Sequence, residues 1–183
     1  MDSMSFIVWL LPVIFMLHDF EEIIMAEVWD KRFHERIMEK FPKRRPFGLG
    51  VNYAWQTPTL SIAVAIEFVL FSVVSYLSAV YQNYFLWFCA FLGLLLHMVI
   101  IHILACFWFK GYVPGVITSA VLLIPGILYL LKAQSILKVD TPTLLLAGTV
   151  GLAMLAVLLP ALHAIMGVTD RWLDIYSRPA ANR

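Results

Sequence analysis

His18, Glu21 and Glu22 lie within five positions of one another in the stretch FMLHDFEEII, which spans 15–24. On a helix, at about 100° per residue, the two glutamates fall on either side of His18, one turn along. One imidazole nitrogen and two carboxylates then share a face, with Asp19 at its edge. Nitrogen and carboxylate donors together suit a divalent metal, with iron, manganese or zinc as the candidates. The same groups could instead pass protons.

The elements that must position them are apolar helices. The chain has 183 residues, 62% hydrophobic and only 14% charged, against about 45–50% apolar in an ordinary soluble domain. The charges are clustered, leaving long segments nearly free of them. Segments of about 20 apolar residues cross a bilayer as helices. The expected fold is therefore all-α, a polytopic membrane helical bundle forming one domain over 1–183, with membrane lipids as its surroundings. Five spans are predicted, at about 5–26, 58–80, 84–109, 112–131 and 143–168. Pro12, Pro125 and Pro160 fall inside spans, where neighbouring groups must satisfy the freed carbonyls. The near balance of 13 Lys+Arg and 12 Asp+Glu gives no nucleic-acid signal. Cys89 and Cys106 lie about 25 Å apart along one helix and cannot bridge.

Positive residues set the expected orientation. Lys31, Arg32, Arg36, Lys40, Lys43, Arg44 and Arg45 follow the first span, Lys110 follows the third, and Arg171, Arg178 and Arg183 follow the fifth. Lys132 and Lys138 fall on the opposite face. The N-terminus is expected outside and the C-terminus in the cytoplasm. The start, MDSMS, has neither a positive residue nor a cleavage site, so the first helix is expected to be retained. Trp29, Phe33, Ile37 and Phe41 recur every four residues among charges. This predicts a basic amphipathic helix at the cytoplasmic surface, continuing the first span and stopping near Pro42 and Pro46.

A plainer account ends the first span at Leu17, with HDFEE opening the surface helix. That span would be short of the roughly 17 residues a crossing needs, and the apolar text resumes after Glu22. Extending it to Ala26 puts the carboxylates inside the bilayer, at about 2.5–3.5 kcal/mol for each charge near the centre. The spans hold almost no lysine or arginine to offset this, which leaves a metal or a proton. Counting at about 1.5 Å per residue, Glu67, His97, His102 and His163 reach the same inner half of the membrane as Glu21 and Glu22. His97 and His102 are five apart, about 140° around an α-helix, so both cannot easily face one metal, and His102 is favoured. Cys106, one turn below His102, reads first as a small packed residue.

The HDFEE segment, His102, and then Tyr112, Pro114, Gly115 and Thr118 resemble the HXXEE-motif family of membrane proteins over roughly 6–119. That family is largely bacterial, which implies a bacterial cytoplasmic membrane. Its later block carries an asparagine one turn before the histidine, where this chain has Met98 with His97 beside it. The resemblance implies no activity. GYVPG reads as a rigid turn, with Pro114 suited to a first helical turn.

Two functions follow from the residues. The first is a metal-dependent enzyme acting on a lipid or other apolar substrate, by hydrolysis or oxidation. Its metal ligands would be His18, Glu21, Glu22, Glu67 and His102, with Glu22 and Glu67 as catalytic groups. The second is a small proton- or ion-coupled transporter or relay using the same residues, for which assembly into a homo-oligomer could compensate for small size. A haem protein would leave HDFEE unexplained.

Overall fold

The computed structural model describes residues 4–40 and 56–178, and every element among them is helical. The order is α1 (Met4–Ile7), α2 (Leu10–Lys40), α3 (Thr57–Tyr81), α4 (Phe85–His97), a π-helical segment (Met98–Ile103), α5 (Leu104–Phe109), α6 (Val116–Leu137) and α7 (Thr141–Ser177). Among the described residues, four stretches are long and apolar enough to cross a membrane: Thr57–Tyr81, Phe85–Phe109, Val116–Leu137 and Thr141–Ser177. Large side chains such as Leu145, Val157 and Ile124 lie exposed on the outside of the bundle. An apolar exterior of this extent suits lipid rather than water.

The stretch at 5–26 is built differently, because it carries the carboxylates and contains a break. Pro12 has no N–H to give to the Val8 carbonyl four residues earlier, and α1 ends before α2 begins. Ser75 Oγ and Trp87 Nε1 donate to that carbonyl instead, at 2.7 and 3.0 Å. Beyond it α2 runs through HDFEE without interruption, so no helix ends at Leu17.

Glycines let α4 and α7 approach closely. A Cβ on Gly93 would lie 3.2 Å from the Gly151 carbonyl oxygen, and one on Gly151 would strike the Cys89 carbonyl. Small residues at such crossings are a membrane-helix device. The core that results is centred on Trp87, Phe91, Leu11 and Met98.

The distal part of α2 kinks at Phe33, where φ is −114° and ψ 15°. Its stripe of Trp29, Phe33 and Ile37 packs on Phe109 and Val113. Arg36 Nη2 donates to the Phe109 carbonyl at 2.6 Å, and the guanidinium sits 4.4 Å over that ring. The stripe expected at a membrane surface is thus turned toward protein, because Phe109 and Val113 offer it an apolar partner. Phe41, Pro42 and Pro46 lie outside the described residues. Cys106 packs with this same cluster.

Candidate metal centre

His18 and Glu22, four apart on α2, present one edge toward the π segment. His102 on that segment and His97 just before it complete a group of four. One donor atom from each lies within 4.8 Å of all the others. Glu22 Oε1 is 3.0 Å from His102 Nε2, 3.3 Å from His18 Nε2 and 3.9 Å from His97 Nε2. His97 Nε2 and His102 Nε2 are 2.9 Å apart.

The π helix brings His97 in. In an α-helix, residues five apart diverge; in a π-helix, bonded i to i+5, the wider turn brings them toward one face. Residues 98–103 are π-helical, so the 140° separation expected from sequence does not apply. His97 and His102 meet at one point.

The other ring nitrogens reveal where the lone pairs point. His102 Nδ1 lies 2.8 Å from the Pro114 carbonyl, which can only accept, so Nδ1 carries the proton. Thr118 Oγ1 donates to Glu21 Oε2 at 2.6 Å, so its oxygen accepts from His18 Nδ1 at 3.1 Å. In their neutral forms both histidines therefore turn an Nε2 lone pair toward a Glu22 oxygen, which as a carboxylate also only accepts. His18 Nε2 and Glu22 Oε1 are buried without a hydrogen-bond partner. Acceptors facing acceptors in a dry site need a cation or an added proton between them. A metal-binding histidine commonly has its second nitrogen anchored in this way.

Glu21 faces a different task from Glu22. Its Oε2 accepts from the Thr118 N–H at 2.7 Å, and its Oε1 accepts from Tyr112 Oη at 2.8 Å and the Ile117 N–H at 3.3 Å. These amides open α6, whose N-cap, Gly115, has no side chain to cap them. Glu21 is the cap, supplied from another helix, with its charge at the positive end of the helix dipole. It stands outside the group of four, as does Glu67. Glu67 instead lines a cavity beside the group, together with Asp19, Glu22, His97, His102 and His163.

The GYVPG turn closes over the two anchored rings. Gly115 has φ +83°, and a Cβ there would lie 2.5 Å from His102 Nδ1 and 3.0 Å from His18 Cε1. Only glycine meets both demands. Pro114 precedes the helix rather than opening its first turn, because Gly115 holds the cap position and α6 starts at Val116. Its carbonyl is thereby free for His102. The Trp29 indole N–H donates to the Tyr112 carbonyl at 2.6 Å and ties the turn to α2.

Glu27, lower on α2, repeats the device used by Glu21. Its Oε2 accepts from the Thr57 N–H and Oγ1, both at 2.9 Å, where α3 begins. Lys31 bonds its other oxygen at 2.6 Å. The Lys31 bond, then those from Thr57, holds this carboxyl at about 2, below its ordinary 4.5.

No curated protein and no solved structure gives a significant match to this chain. A family model does match, over residues 9–130, described as a protein of unknown function with HXXEE motif. That stretch holds the motif histidine and second glutamate in the candidate centre, and the first glutamate on the α6 cap. The chain belongs to the HXXEE family.

Proposed function

We propose that this chain is a metal-dependent membrane enzyme acting on an apolar substrate. The ligands would be Nε2 of His18, His97 and His102 and Oε1 of Glu22. The observation that carries the reading is the convergence of acceptors: two anchored imidazoles and a carboxylate point lone pairs at one spot. Donor atoms around a tetrahedral zinc, at about 2.0–2.1 Å from the ion, are about 3.3 Å apart. The contacts to Glu22 and between His97 and His102 run from 2.9 to 3.9 Å, which suits an ion of that size; iron and manganese accept the same donors.

A bound metal would supply a Lewis acid and an activated water or oxygen. The chain's own residues would do the rest. Pro114 and Thr118 hold the ring tautomers. His97, whose Nδ1 is buried without a partner, is the ligand least fixed and the one placed to yield to substrate. Glu67 faces the cavity, where it could take or give a proton in either hydrolysis or oxidation. Apolar walls keep water away. In this reading the stretch at 5–26 also crosses the bilayer, the N-terminus is outside, and the centre lies nearer the cytoplasmic leaflet, in line with the positive residues.

The test is metal analysis of the protein purified in nanodiscs. About one equivalent of a first-row metal per chain is expected, lost in His18→Ala and His102→Ala and kept in Glu67→Gln. Absence of metal from folded wild-type protein overturns the reading. One contact favours a second reading, a proton relay: two histidine nitrogens 2.9 Å apart need a proton between them if no metal is there. Metal-free protein that conducts protons across vesicles, and loses conduction in Glu22→Gln, would establish it.

A further inference from the structure

The cavity beside the four ligands has a volume of about 110 Å³. Phe15, Leu60, Val64, Phe71, Leu155 and Leu162 make up much of its wall. Its ionisable lining among the described residues is four acids, Asp19, Glu22, Asp30 and Glu67, and three histidines, His97, His102 and His163. No lysine or arginine among the described residues lines it. Glu22 belongs to the metal ligands, and Asp30 lies 3.8 Å from His34 Nδ1. Asp19 and Glu67 are different. They are only 6% and 9% exposed, and neither has a hydrogen-bond or ion-pair partner among the described residues. The Trp29 indole N–H, which also belongs to a lining residue, is already taken by the Tyr112 carbonyl.

A carboxylate removed from water costs several kcal/mol unless something pairs with it. Among the described residues no donor or cation reaches these two, so each is neutralised by a proton or by a paired cation. An occupant that takes the proton's place brings N–H donors and positive charge at one end. The wall asks for hydrocarbon at the other. An anionic lipid head or a fatty acid would set its own acid group against Asp19 and Glu67. A neutral alcohol could bond one carboxylate but would leave the charge uncompensated.

We infer that the cavity receives a cationic amphiphile, an aliphatic amine or ammonium compound whose nitrogen seats against Asp19 and Glu67. The apolar chain lies along the phenylalanine and leucine wall. This deepens the proposed function and rests on its reading of the cavity as the substrate site, but not on the metal.

The test uses wild-type protein in nanodiscs and three probes of equal chain length: n-octylamine, n-octanol and octanoate. Saturable binding is measured at pH 7, where the amine is charged, with metal content read on the same samples. Octylamine is expected to bind at least about tenfold tighter than octanol, since a bond to a charged group is worth 1.5–3 kcal/mol, and octanoate not to bind. Glu67→Gln and Asp19→Asn should each weaken octylamine about tenfold or more while leaving metal content and the elution profile unchanged. Octanol or octanoate binding as well as octylamine overturns the inference, as does amine binding untouched in both variants. Selective amine binding by metal-free protein supports this inference while overturning the metal reading. Metal-loaded protein without amine selectivity does the reverse.

Discussion

Two buried polar knots lie on the same N-terminal helix pair, and they are finished differently. At Val8, a carbonyl freed by Pro12 receives two donors, from Ser75 and Trp87. About 15 Å further along the chain axis, His18, Glu22, His97 and His102 crowd lone pairs together. The first knot is closed by the protein. The second is closed only on its outer side, where Pro114, Thr118 and Gly115 fix the rings, and left open at its centre. A structural site satisfies its own polar atoms; a site that orients donors and leaves them unsatisfied is shaped for something else to complete.

The contrast can be broken experimentally. The largest effect is expected from Gly115→Ala. The left-handed backbone adds about 1–2 kcal/mol of strain, and the new methyl must displace both imidazole rings, adding about 1–3 kcal/mol more. Thermal unfolding should shift down and bound metal should fall together. An unchanged metal content would mean that the turn does not set the rings. The Val8 knot predicts the opposite pairing. Ser75→Ala with Trp87→Phe leaves a buried carbonyl without a donor, which costs about 1–3 kcal/mol on top of the cavity left by trimming the fully buried Trp87, and metal content should not move. Thr118→Val comes next. It removes the group that fixes His18 Nδ1, so metal affinity should drop about 10–100-fold with the protein still folded, measured by competition with a chelator.

The smallest effect belongs to Glu27, which sits outside the spans. Its folded carboxyl is held at about 2 against 4.5 ordinarily. A depressed value stabilises the fold above the unfolded value and loses that stability as pH falls through 4.5 toward 2. The difference in melting temperature between wild type and Glu27→Gln should be constant at neutral pH and shrink below about pH 4.5. A difference that grows with acid would contradict the bond to Thr57.

The sequence made part of this visible. Long apolar runs announced the helices, and the cost of HDFEE in lipid announced a site. Depth alone grouped Glu22, His97 and His102 with Glu21, Glu67 and His163. Direction around the helix then set His97 apart from His102, because bringing the two together requires knowing that residues 98–103 wind as a π-helix, and no spacing rule signals that width. Glu21 was unreadable for another reason. On a helical wheel it shares a face with Glu22, and only the arrival of α6 with a bare glycine cap gives it a separate partner. The stripe of Trp29, Phe33 and Ile37 was legible as a face, but not what it faces. A periodic pattern specifies an apolar neighbour and is silent on whether that neighbour is lipid or Phe109.

The central claim is that these lone pairs converge on a metal. X-ray absorption at the metal edge of the purified protein tests it most directly. The account predicts a first shell of nitrogen and oxygen at about 2.0–2.1 Å with imidazole back-scattering, weaker in whatever metal His97→Ala retains and absent with the metal itself in His102→Ala. A well-folded wild-type protein with no metal, or a shell in His97→Ala unchanged from wild type, would contradict it.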